Sequence, residues 1–116
     1  HVRPSVETLR ALYNGAAVLL HPSRSEGWGL VPMEAAACGA AVVSSANPGI
    51  LEFLDEDDSV SCAPVGDGEA LGARAVQLLS DPARRRRQAE AARAAVARFD
   101  LAQTSALFLD LLQTYA

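Results

Sequence analysis

Short apolar runs alternate with amphipathic stretches along this chain. Val6, Leu9, Leu12 and Tyr13 recur at helical spacing behind Ser5, a suitable N-cap, and Gly15 stands where that helix should stop. Residues 16–21 (AAVLLH) form a continuous apolar run of strand length, the pattern of a strand covered on both faces. A second helix is predicted over 31–38, ended by Gly39. Residues 40–44 (AAVVS) and 60–63 read as two more buried strands with a short turn between them. This alternation predicts an α/β class, a partial Rossmann-like parallel sheet of about three strands with helices on its faces.

The remainder reads as helical. Asp67 is a cap for a helix whose apolar face would be Ala70, Leu71, Val76, Leu78 and Leu79. Asp81-Pro82 is an N-cap followed by proline at the first helical position, opening a helix through Arg84–Arg87 to about Phe99. Asp100 with Gln103 resembles a capping box for a last helix striped by Leu107, Phe108, Leu111, Leu112 and Tyr115.

Composition narrows the classes. With 116 residues, half of them hydrophobic, the chain is one modest domain with a real core. A net charge of −4 argues against nucleic acid as a partner. Cys38 and Cys62 lie in apolar contexts without metal-ligand spacing, so they read as small buried hydrophobes in a reducing, cytoplasmic setting. No apolar run reaches the roughly 18 residues of a membrane span. The chain opens on His1, which suggests an excised piece of a longer protein.

The candidate chemistry lies in residues 22–39, PSRSEGWGLVPMEAAACG. This stretch leaves the C-terminal end of a strand and enters a helix, the edge where open parallel sheets bind ligands. Gly27 and Gly29 are expected to turn with positive φ and to let a ligand approach the backbone N–H groups. The helix behind them, with Pro32 in its first turn, points unpaired amides at the same space, which suits a phosphate or diphosphate. Glu34, expected in that first turn, would be held ionised by the helix dipole and would accept hydrogen bonds from a ribose diol. Glu26, on the loop, would accept from sugar hydroxyls. The same spacing also allows a structural reading, Glu34 completing a cap and Glu26 solvated, and spacing alone weights the two evenly.

Residues 22–43 resemble the signature of retaining GT-B glycosyltransferases, especially glycosyltransferase family 4. Pro22, Ser23, Glu26, Gly27, Trp28, Gly29, Leu30, Glu34, Ala35, Gly39, Val42 and Val43 fit that pattern in register. The resemblance implies that Glu26 lies by the donor sugar as the catalytic carboxylate and that Glu34 holds the nucleotide ribose. It implies a donor surface of Gly27, Trp28, Gly29, Leu30 and Val31, with the amides at Gly29 and Leu30 facing the sugar and diphosphate. The substrate it implies is a nucleotide-diphosphate sugar, transferred with retention and without metal or cofactor. The acceptor stays open, and a peripheral membrane association of the parent is compatible.

Residues 45–52 (SANPGILE) depart from the family, which has Gly-Gly before an apolar pair and a glutamate. Gly49 and Glu52 remain, but Pro48 removes one N–H donor. The resemblance covers only the later part of a second Rossmann-like domain, so residues 1–116 are expected to be a donor-binding fragment, inactive alone and lacking the acceptor domain.

Rival readings are a non-catalytic nucleotide- or partner-binding module of GT-B ancestry, or another GT-B enzyme such as a sugar-nucleotide epimerase. A phosphorylase would need a cofactor-binding lysine, and the chain has no lysine. A dinucleotide oxidoreductase is disfavoured because no third glycine follows Gly29 until Gly39. His21 reads as structural. Arg84–Arg87 read as a solvated helix in preference to a lipid-binding patch, since four consecutive residues spread round the helix axis.

Overall fold

The computed structural model describes residues 4–115, except for the side chains of Leu101, Leu107, Phe108, Leu111, Leu112 and Tyr115. The stripe expected on the last helix therefore lies outside the described residues. In chain order the elements are α1 (Val6–Gly15), β1 (Val18–His21), α2 (Leu30–Ala37), β2 (Ala41–Ser45), α3 (Pro48–Leu51), β3 (Val60–Ala63), α4 (Gly68–Ser80), α5 (Pro82–Ala97) and α6 (Leu101–Tyr115).

The three strands form one parallel sheet in the order β1-β2-β3. Val18 to His21 pair with Ala41 to Ser44, and Val42 to Ser45 pair with Val60 to Ala63. Every residue of β2 and β3 is buried. Side chains alternate between the two faces of a strand, and each face has its own cluster. Val42, Val60 and Cys62 join Ala36, Ile50, Phe53, Leu54, Ala92 and Val96 on the side of α2, α3 and α5. Ala41, Val43 and Ala63 join Leu71 and Leu78 of α4 on the other.

Local chemistry sets the helix ends. Ser5 accepts from the Thr8 amide, Asp67 from Ala70 and Asp81 from Arg84, each at the expected N-cap. Gly39, in the left-handed region at φ 89°, ends α2: its amide bonds Ala36 O and the next amide bonds Ala35 O, a Schellman closure. Asp100 Oδ1 accepts from the Ala102 amide at 2.6 Å and starts α6.

The structure corrects several expectations. β1 is shorter than residues 16–21 and is not covered on both faces: its residues are half-buried, and Leu20 is 48% exposed. It is one of the two edge strands, and α1 leans on α2 rather than over it. Val6 and Leu12 accordingly stand in solvent, and α1 buries no residue. On α4, Val76 and Leu79 are exposed, while Leu71, Ala75 and Leu78 at helical spacing face the sheet. The turn after β2 contains the one-turn helix α3, capped by Asn47, whose Oδ1 accepts from the Ile50 amide at 3.3 Å.

Two polar side chains tie α5 to its neighbours, one to the sheet and one to α4. Buried Gln88 donates from Nε2 to Val42 O and accepts at Oε1 from the Ser61 hydroxyl, both at 2.7 Å. Arg85 donates to the carbonyls of Leu78 and Leu79 at 3.1 and 3.2 Å, closing the end of α4, so the arginine run has a structural member. Cys62 is buried, its thiol pushed up to about 11 by burial and by Glu56 and Asp57, so it stays protonated and inert. Cys38 is only half-buried, contrary to expectation.

Candidate functional site

β1 ends at His21, and the chain leaves the carboxyl edge of the sheet through Pro22 to reach α2 at Leu30. Gly29 is the N-cap of α2 in the left-handed region, φ 74°. A Cβ at Gly29 would collide with Ile50 Cδ1, so the position needs glycine for conformation and for space. Gly27 is not in the left-handed region, which corrects the expectation that both glycines turn with positive φ.

Among the described residues no side chain caps the start of α2. The first helical bond runs from the Met33 amide to Gly29 O at 3.2 Å, leaving the Leu30 and Val31 amides outside the helical ladder, and Pro32 has no N–H at the third position. Leu30 and Val31 are 63% and 44% exposed. These donors can meet an anion at the positive end of the helix dipole.

Trp28 turns inward. Its ring stacks on Phe53 with centroids 5.7 Å apart and meets Phe99 edge-on at 5.2 Å, while 39% of the residue stays exposed. It therefore stands at the border between core and loop, as its size and place imply. The loop is thereby anchored to the segments after α3 and after α5.

The two carboxylates have separate neighbours. Glu26 Oε1 lies 3.0 Å from His21 Nε2, with side chains 29% and 13% exposed. The Ser23 hydroxyl holds the Glu26 carboxyl below the usual carboxylate range against partial desolvation, and His21 adds to this. Glu26 is therefore an acceptor-only anion at neutral pH. Glu34 is exposed and accepts at Oε2 from the Tyr13 hydroxyl at 3.2 Å. It is the fifth residue of α2 and not in the first turn, so the helix dipole, which fades within that turn, is not its main partner. Burial and the Glu34 charge push the Tyr13 phenol up, so it stays protonated as a donor. A groove of about 310 Å³ runs beside this pair, between α1 and α2, lined by Val6, Leu9, Arg10 and Cys38.

Residues 2–95 match the model of the family described as glycosyl transferases group 1. The chain belongs to that family. It is 40% identical to the D-inositol 3-phosphate glycosyltransferase of Xylanimonas cellulosilytica, an alignment covering 95% of this chain and 27% of the relative. It is 42% identical to a glycogen synthase of Mycobacterium tuberculosis, over 75% of this chain and 21% of the relative. The sucrose-phosphate synthase of Thermosynechococcus elongatus superposes with a TM-score of 0.81 at 31% identity, covering 99% of this chain and 28% of that one. The fold is thus that of part of a GT-B glycosyltransferase, and the chain spans about a quarter of the length of these relatives.

Within this group 1 domain, the loop gathers Glu26, Gly27, Trp28, Gly29, Leu30 and Val31 between β1 and α2, while Glu34 stands further along α2 beside α1. Tyr13 and His21 are the side chains that meet the two carboxylates. The sequence carries no local signal for the Tyr13–Glu34 pair, because its members lie 21 positions apart on different helices. His21, expected to be structural, stands with its Nε2 3.0 Å from Glu26 Oε1. Among the described residues, no three metal-ligating side chains gather. No helix among them is long and apolar enough to cross a membrane.

Proposed function

We propose that the chain binds the nucleotide-sugar donor of a retaining hexosyl transfer, as the C-terminal, family 4-like donor domain of a longer cytoplasmic parent. The supporting observation is the uncapped start of α2 at the carboxyl edge of the sheet, with Glu26 held by His21 on the loop before it and Glu34 held by Tyr13 further along the helix. The amides at Gly29, Leu30 and Val31 receive the diphosphate and stabilise the charge that grows on it as it departs. Glu34, steadied by Tyr13, accepts from the ribose diol. Glu26, steadied by His21, accepts from hydroxyls of the donor sugar. No step calls for a metal or a cofactor, and the acceptor binds in a domain that this chain does not contain. The chain alone binds without turnover.

Trp28 reports on this reading. UDP or GDP added to the chain should change its tryptophan emission saturably, with a dissociation constant near the millimolar range because the rest of the cleft is absent. Glu34→Ala should abolish the change and Glu90→Ala, on the exposed face of α5, should preserve it. Flat emission while calorimetry shows nucleotide bound would place the site elsewhere. A nucleotide that binds the parent without turnover would favour a non-catalytic module, which Pro48, with its missing N–H, makes the second reading.

A further inference from the structure

Gly49, second residue of α3, lies with its Cα against the Glu26 peptide. A Cβ built on it would stand 2.5 Å from the Glu26 carbonyl oxygen, 3.0 Å from the carbonyl carbon and 3.1 Å from Glu26 Cβ. These are backbone atoms and the root of a side chain, so no flexible tip can swing away. Gly49 does not have a positive φ, and an ordinary helical residue could adopt its conformation. A helical glycine is less favourable than alanine in the same place. Space, and not conformation, is the reason for glycine here.

The surface that receives Glu26 is itself fixed. Gly49 is buried, and its neighbour Ile50 is fully buried in the core. Asn47 caps α3 and donates from Nδ2 to Ser45 O at 3.3 Å, tying the helix to the end of β2. Above this seat, the Glu26 carboxylate reaches His21 at the end of β1. The loop after β1 is therefore clamped between a strand end and a helix from the next crossover.

We propose that Gly49 is a positioning residue for Glu26: its bare Cα seats the Glu26 peptide and so sets where the carboxylate stands. Its bearing on donor recognition rests on the reading of Glu26 as the sugar-facing acid. A methyl at Gly49 must push the Glu26 peptide back by about 1 Å to restore ordinary contact, which carries the carboxylate away from His21.

The test is made on the whole 116-residue chain labelled with nitrogen-15, with Leu20→Arg present in every variant to keep the β1 edge from pairing between copies. The hydrogen-bonded Nε2 proton of His21 should be visible in this background and should vanish in Glu26→Ala. Gly49→Ala should reproduce that loss, with solvent exchange of the proton faster by about tenfold, as for a lost charged hydrogen bond. Gly72→Ala, a helical glycine with open space around it, should leave the signal unchanged. If Gly49→Ala fails to fold, Asn47→Ala, which frees α3 from its cap, takes its place with the same expected loss. A folded variant with an unaltered His21 signal overturns the proposal. Titration with UDP-glucose and GDP-mannose beside UDP and GDP separates the two readings. Weakened nucleotide-sugar binding with unchanged nucleotide binding supports both. A lost His21 proton with unchanged sugar-nucleotide binding leaves the seat standing and overturns its role in donor recognition.

Discussion

Glu26 and Glu34 are eight positions apart yet stand in different chemistry. Glu26 is partly sheltered, with Ser23 and His21 favouring its charged form. Glu34 is open to solvent and meets one phenol. A carboxylate by the sugar should matter more for turnover than for holding nucleotide, and one by the ribose should matter for both. On the proposed donor reading, Glu26→Gln in the full-length protein should lower the rate strongly and leave free-nucleotide affinity nearly unchanged. Glu34→Gln should weaken donor and free nucleotide alike by about 1–3 kcal/mol, the range for a hydrogen bond to a charged group. Calorimetry with donor and with free nucleotide on both variants reads the split, and equal losses of free nucleotide would refute the division of labour.

At the scale of elements, polar contacts join helix to sheet beside the apolar packing. Gln88 is the buried link between α5 and two strands, satisfied at both ends of its amide. Gln88→Leu should destabilise the fold by about 1–3 kcal/mol by removing both hydrogen bonds and leaving the buried Ser61 hydroxyl without this partner. Adding Ser61→Ala should cost less than the sum of the two single changes, and urea unfolding of the four proteins measures that coupling. The caps at Ser5, Asp67 and Asp81 were legible because each is a local side-chain contact with an amide three residues on. So were β2 and β3, whose apolar runs have no other use in a small α/β chain. Gln88 was not legible, since its partners are 27 and 46 positions away. The failure at Val6, Leu12, Val76 and Leu79 has one cause: spacing marks an apolar face, while burial depends on what lies opposite. The site divided the same way. The motif loop could be read from its residues, but the Tyr13–Glu34 and Gly49–Glu26 contacts required the fold.

At the scale of the molecule, the sheet has two edges of unequal character. β3 is buried along its whole length, between the α5 contacts and α4, whereas β1 is half-open and carries Leu20 at 48% exposure. Beside it, α1 buries nothing and leaves Val6 and Leu12 in water. An apolar strand with an unpaired edge is a template for another strand. Relatives about four times as long have chain to spare for covering such an edge. Taken alone at high concentration, the 116-residue chain should be marginally stable or self-associate through β1. Sedimentation velocity over a concentration series should show growing assemblies. Leu20→Arg should suppress them, because a charge on an edge strand opposes pairing. Urea unfolding should have a shallow, low midpoint for the unaltered chain. A cooperative, highly stable monomer at every concentration would show that β1 is closed in solution, contrary to the sheet described.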